Sequence, residues 1–160
     1  MSVFDRVISS QSAAKAKANE ESKLAALAQK TAESTFAKEF RNQIDSTAKP
    51  IFEQFVQDAK PHGYHAFIEQ SKDPKGNPTY SVHVILAQGG EIGYGAEDEV
   101  IFTLRGIIQE QKVEHISHFT SRRGRVGMKT AIYGIQSINK KVLEQELEEH
   151  LSAAVSARAA

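Results

Sequence analysis

The chain has 160 residues, with 20 Lys+Arg against 20 Asp+Glu, no Cys, no Trp and 40% hydrophobic residues. That length holds one globular domain, and the zero formal charge removes any whole-molecule attraction to nucleic acid or an anionic membrane. The missing cysteines exclude disulfides, thiolate metal sites and cysteine nucleophiles, and make a reducing, cytoplasmic setting the simple expectation.

At the start, MSVFDRVISSQS has neither the cationic lead nor the unbroken apolar stretch of a secretory signal, so no export is expected. Nowhere does an apolar run approach the roughly 20 residues that span a bilayer; the most apolar strand, VIFTLRGII, is interrupted by Arg105. Val3, Phe4, Val7 and Ile8 share one face if this stretch is helical. From Ser9 to Thr35 the only large apolar residues are Leu24 and Leu27, among Ala, Lys, Glu, Gln and Ser. These are strong helix formers with almost nothing to bury. Residues 1–35 are therefore expected to form a polar, alanine-rich helical extension whose order depends on a partner, and residues 36–160 a single α+β domain.

Phe36, Phe40 and Ile44 recur every four residues and make the first core-facing stripe. Pro50 predicts a kink or restart, with Ser46 or Thr47 as the cap of a new helix. Ile51, Phe52, Phe55, Val56 and Ala59 then line a docked helix that stops at Pro61 and Gly63. Beyond Gly63 the period falls to two. Tyr64–Ser71 and Tyr80–Ala87 read as a hairpin about DPKGNPT, with Tyr80, Val82, Val84 and Leu86 on one face. After the glycine-rich QGGEIGYGAEDE, Val100–Gln109 and Lys112–Ser121 read as a second hairpin, and Lys129–Ile135 as a fifth strand. Asn139 caps a last helix, stapled by Ile138 and Leu143 and continued by Leu147, Leu151 and Val155. The fold class is therefore α+β: an antiparallel meander of about five strands packed against an N-terminal and a C-terminal helix, with a long polar helical extension.

Candidate chemistry is sparse. His62 with His65 and His115 with His118 are H-x-x-H pairs, but on strand sequence positions i and i+3 point to opposite faces. A cross-strand site from His83 with His115 or His118, and Glu69 or Glu114 as carboxylate, is the remaining way to hold an ion; no metal or cofactor is expected. His150, among glutamates, is expected to be solvated. The segment SRRGRVGMK places Arg122, Arg123, Arg125 and Lys129 about a hairpin tip, where guanidinium forks would suit phosphate oxygens. Glu97, Asp98 and Glu99 would complement those arginines on a partner surface. GGEIGYG lacks the Lys-Ser/Thr of a phosphate loop, and no nucleophile–base motif is present, so no catalytic residue is nominated.

The leading functional reading is a non-catalytic assembly or interaction protein. Its N-terminal helix self-associates, as a homodimer, or docks a protein partner, burying Leu24, Leu27, Phe36 and Phe40. A second reading is nucleic-acid or phosphate-ligand binding through the Arg122–Lys129 hairpin, with nucleic acid the weaker case for want of an aromatic stacking platform. A third is a small-molecule or metal-binding domain with a pocket between the sheet and the helix Ile51–Ala59, using His83 or His115 as its polar group.

Overall fold

A computed structural model describes residues 2–86, 98–120 and 126–159. The chain opens with helix α1 (Val3–Gln43), passes through a π-helical turn (Ile44–Ala48) into α2 (Lys49–Ala59), and then forms five strands. These are β1 (His65–Lys72), β2 (Pro78–Ile85), β3 (Glu99–Ile107), β4 (Lys112–Thr120) and β5 (Val126–Tyr133), after which α3 (Lys140–Ala159) follows. The strands form one antiparallel sheet in sequence order, so the architecture is α+β with an antiparallel meander.

Local chemistry sets the boundaries. At the start of α1 the Asp5 N–H donates to Ser2 Oγ at 3.1 Å and the Ser2 N–H donates to Asp5 Oδ2 at 3.3 Å, a reciprocal cap that satisfies two exposed donors. Pro50 does not end the helical path. The π turn places the Lys49 N–H on the Ile44 carbonyl, five residues back, and the wider loop accommodates a ring that lacks an N–H and would crowd a regular turn. Neither Ser46 nor Thr47 caps α2; Thr47 Oγ1 instead donates to Gln43 Oε1 at 3.4 Å. Asp73 organises the β1–β2 turn by accepting from the N–H groups of Lys75 and Asn77, and Gly76, at φ +84°, supplies the left-handed residue that the turn needs. Strand β5 starts at Val126 rather than Lys129, because its pairing with β4 runs on through Gly127 to Val126. Asn139 caps α3, accepting from the Val142 N–H at 2.9 Å.

α2, α3 and the last turns of α1 cover one face of the sheet. Phe52 lies fully buried with its ring 5.2 Å from that of Tyr80 and 5.8 Å from that of Phe102. Around it gather Phe36, Phe40 and Ile44 from the last turns of α1 and its π turn, Leu104 and Val113 from β3 and β4, and Leu143 and Leu147 from α3. A second cluster, Val84, Leu86, Val100 and Ala154, extends the core toward the end of α3, where Ala154 rather than Val155 turns inward. The alternation seen in the sequence is realised, with Tyr80, Val82, Val84 and Leu86 all buried. The opposite face of the sheet carries a middle row of Phe67, His83, Ile101, His118 and Met128, in which Phe67 and Met128 are exposed.

Two strand glycines are explained by aromatic rings. Phe40 lies over Gly106, and Phe119 over its cross-strand partner Gly127, where a Cβ would stand only 2.0 Å from Phe119 Cε1. A side chain at either position would have to displace a ring. Gly127→Ala is expected to lower stability by about 1–3 kcal/mol, the usual cost of overpacking. A thermal melt indistinguishable from that of the parent chain would show that Phe119 does not need the space.

Candidate functional site

Three places combine distinctive chemistry with room for a partner: the projecting part of α1, a groove between α2 and α3, and a small cavity beside His115. Every residue from Val3 to Thr31 is exposed. Gln29 Nε2 donates to the Gln109 carbonyl at 3.1 Å, and burial against the domain begins at Ala32. At about 1.5 Å per residue, the stretch from Val3 to Gln29 projects by roughly 40 Å.

The arm carries two apolar patches. Val3, Phe4, Val7 and Ile8 lie at its tip, with Phe4 74% exposed, and Leu24 and Leu27 lie nearer the domain, each 62% exposed. Phe4 precedes Phe40 by about ten helical turns, so the tip patch continues the line along which α1 meets its own core. Leu24 and Leu27 fall on the opposite side of the helix. Phe36 and Phe40, expected to be covered by a partner, are buried in the core of their own chain, which leaves Leu24 and Leu27 as the members of that set open to one.

The groove between α2 and α3 has a volume of about 550 Å³. Its floor is apolar, built from Ile51 and Phe55 of α2 and Leu147 and Leu151 of α3, and Asp58 and Glu148 stand on its rim. The groove lies between two helices, whereas the pocket expected from the sequence lay between the sheet and the helix Ile51–Ala59; its imidazole is His62, and neither His83 nor His115 lines it.

The smaller cavity, about 290 Å³, lies over β4, β5 and α3. His115, only 3% exposed, stands at its wall with Nδ1 2.7 Å from Glu146 Oε2 and Nε2 2.8 Å from Ser137 Oγ. That is the order of a serine–histidine–carboxylate relay, and the sequence conceals it because the three residues come from β4, the 3-10 turn Ile135–Ser137 and α3. A nucleophilic serine must aim its proton at the imidazole and its oxygen at substrate. Here the Ser137 hydroxyl donates to the Gly134 carbonyl at 2.7 Å, and Ser137 does not line the cavity. The cluster is a polar tether that joins β4 to α3. Ser137→Ala would leave a buried imidazole nitrogen without its partner, so a loss of about 1–3 kcal/mol is expected in chemical unfolding. An unchanged unfolding midpoint would show that the tether contributes nothing.

The remaining histidines do not assemble a site. His83 faces the other side of the sheet, with its ring stacked 4.6 Å from that of Phe67 and Nδ1 3.0 Å from Glu99 Oε1, so its carboxylate is neither Glu69 nor Glu114. Glu114 pairs with Arg105. His118 shares the face of His83 with Ile101 between them, and His115 points to the opposite face, as strand geometry requires. Among the described residues no group of three His, Cys, Asp or Glu is placed to hold a metal ion. Arg122, Arg123, Arg125 and Glu97 lie outside the described residues. Lys129 is exposed on β5 and lines the small cavity together with Glu146 and Glu149, carboxylates that oppose an anion there. Asp98 is buried, and Glu99 is taken by His83.

His150 is buried rather than solvated; its Nε2 donates to the His118 carbonyl at 3.0 Å. Burial, opposed in part by that hydrogen bond, holds the ring below the usual imidazole value. The unfolded chain therefore takes up this proton before the folded chain does. The resulting stability is complete above about pH 6.5 and is lost as the pH falls below that value. His150→Gln keeps a donor toward the His118 carbonyl but removes the titration, and its melting temperature is expected to fall less steeply between about pH 7 and pH 5 than that of the parent. Equal slopes would mean that His150 binds its proton equally well in both states.

Compared with known protein families, with curated proteins and with solved structures, the chain finds no match. Among the described residues no helix is long and apolar enough to cross a membrane.

Proposed function

We propose that the chain is a non-catalytic assembly protein that self-associates through α1, in the reducing cytoplasmic setting that suits a chain without cysteine. The observation that supports this reading is the helical arm, which holds its apolar tip about 40 Å beyond the point where α1 leaves the domain. In the single chain the arm is helical from Val3 onward. Its last turns are packed, so nucleation is already accomplished, and Ala, Lys, Glu and Gln propagate the helix outward. What lacks cover is the tip, where four apolar side chains cluster behind a capping box, together with the Leu24–Leu27 pair. A purely solvent-bridging helix would be polar all round.

Light scattering at tens of micromolar tests the reading. The full chain is expected to show at least twice the monomer mass. A chain beginning at Thr31 is expected to show the monomer mass with a nearly unchanged melt, since the described residues removed, 2–30, are all exposed. A monomeric full chain at that concentration would refute self-association.

A further inference from the structure

We infer that the groove between α2 and α3 is the receptor for the α1 tip of a second copy of the chain, the two copies exchanging tips reciprocally; this rests on the self-association proposed above and gives the arm its receiving surface. Tip and groove fit chemically. The tip presents Phe4, Val7 and Ile8 at i, i+3 and i+4 spacing, the pattern with which an amphipathic helix lies in an apolar groove. The groove offers an apolar floor of Ile51, Phe55, Leu147 and Leu151. From Ile51 to Ala59 along α2 it is about 12 Å long, and Val3 to Ile8 spans about 8 Å, so the patch fits within it.

Their charges are also complementary. Lys15 follows Ile8 by about two turns and lies on the same face of α1, whereas the groove is edged by the carboxylates of Asp58 and Glu148. Glu144, also at the groove, has Lys140 3.9 Å away, and Asp58 accepts from the neutral amide of Gln54 at 2.8 Å. Among the described residues neither Asp58 nor Glu148 has a cationic partner, so both are open to an incoming lysine. Opposite charges at a rim orient the encounter more than they strengthen it.

The length of the arm allows the exchange. The tip patch and the stripe Phe36–Ile44 lie on one line of α1, with centres about 34 residues apart, or roughly 51 Å. A compact domain of this size has a radius of gyration of about 14 Å, hence a diameter near 36 Å. A second domain therefore fits beneath the tip on the same side of the helix without overlapping the first. Tip meets groove rather than tip, so the surfaces differ, and reciprocal exchange closes them into a two-fold dimer.

The chain contains no cysteine, so single cysteines can be introduced one per copy for cross-linking of the full-length protein. Val7→Cys on the tip and Gln54→Cys beside the groove both replace exposed residues, and their folding is checked by thermal melt. With a short bis-maleimide, an equimolar mixture of the two variants, left to exchange subunits, is expected to give covalent dimers, and neither variant alone is expected to do so. In parallel, Phe4→Glu with Ile8→Glu is expected to reduce the scattering mass to that of a monomer, and Leu24→Glu with Leu27→Glu to leave the dimer intact. Val7→Cys linking to itself would overturn the inference in favour of tip-to-tip pairing. A dimer that survives the tip substitutions but not the leucine substitutions, or a mixture that fails to cross-link while the mass remains dimeric, would also overturn it; self-association through α1 would still stand. A monomeric parent chain would remove both.

Discussion

The apolar face at the centre of the sheet is the constraint on which the rest of the molecule depends. Tyr80, Val82, Phe102, Leu104 and Val113 form a surface that water cannot satisfy, and it is closed by Phe52, whose ring contacts both Tyr80 and Phe102. Bringing Phe52 there requires α2 to lie across the sheet. The π segment then joins α2 to α1, whose last turns with Ile44 place Phe36 and Phe40 in the next space. No helix buries its stripe by itself, and the sheet has no core without them. The rings also account for glycine at positions where a strand would normally carry a side chain, Gly106 under Phe40 and Gly127 under Phe119.

The same packing produces the arm. Once the last turns of α1 are held on the sheet, extending the helix outward costs no further nucleation, and its sequence is rich in residues that propagate helix. A segment with too little apolar area to fold alone thereby becomes a long helix with a fixed direction. Because Phe4 and Phe40 are in helical phase, the direction in which the tip patch faces is set by the docking of Phe40. The buried end of one helix orients its exposed end.

Polar groups inside the domain serve mainly to join elements that are distant in sequence. His115 links β4 to α3 through Glu146 and to the turn before α3 through Ser137, and His150 returns from α3 to the β4 backbone. A buried imidazole whose nitrogens find partners stabilises a fold without implying catalysis. On the opposite face, Arg105 gathers Glu114 and Asp73, and His83 holds Glu99, so these groups find their polar partners within the chain.

Much of the architecture was legible in the residues themselves. The change from a four-residue to a two-residue period at Gly63 separates helices from strands, the DPKGNP and Glu110-Gln111 turns define hairpins, and Asn139 marks the start of α3. These signals are local: each depends on side chains within one or two turns of each other, so the linear order carries them. The π turn was not legible, because Pro50 alone does not say whether a helix breaks or widens. The partners of His83 and His115 and the burial of His150 were not legible either. Glu99 reaches His83 only through the β2–β3 register, and Ser137 and Glu146 reach His115 only after α3 has crossed the sheet. Such contacts join residues 16 to 31 positions apart, and which ones form is decided by how the apolar faces stack, a collective property that no local pattern encodes.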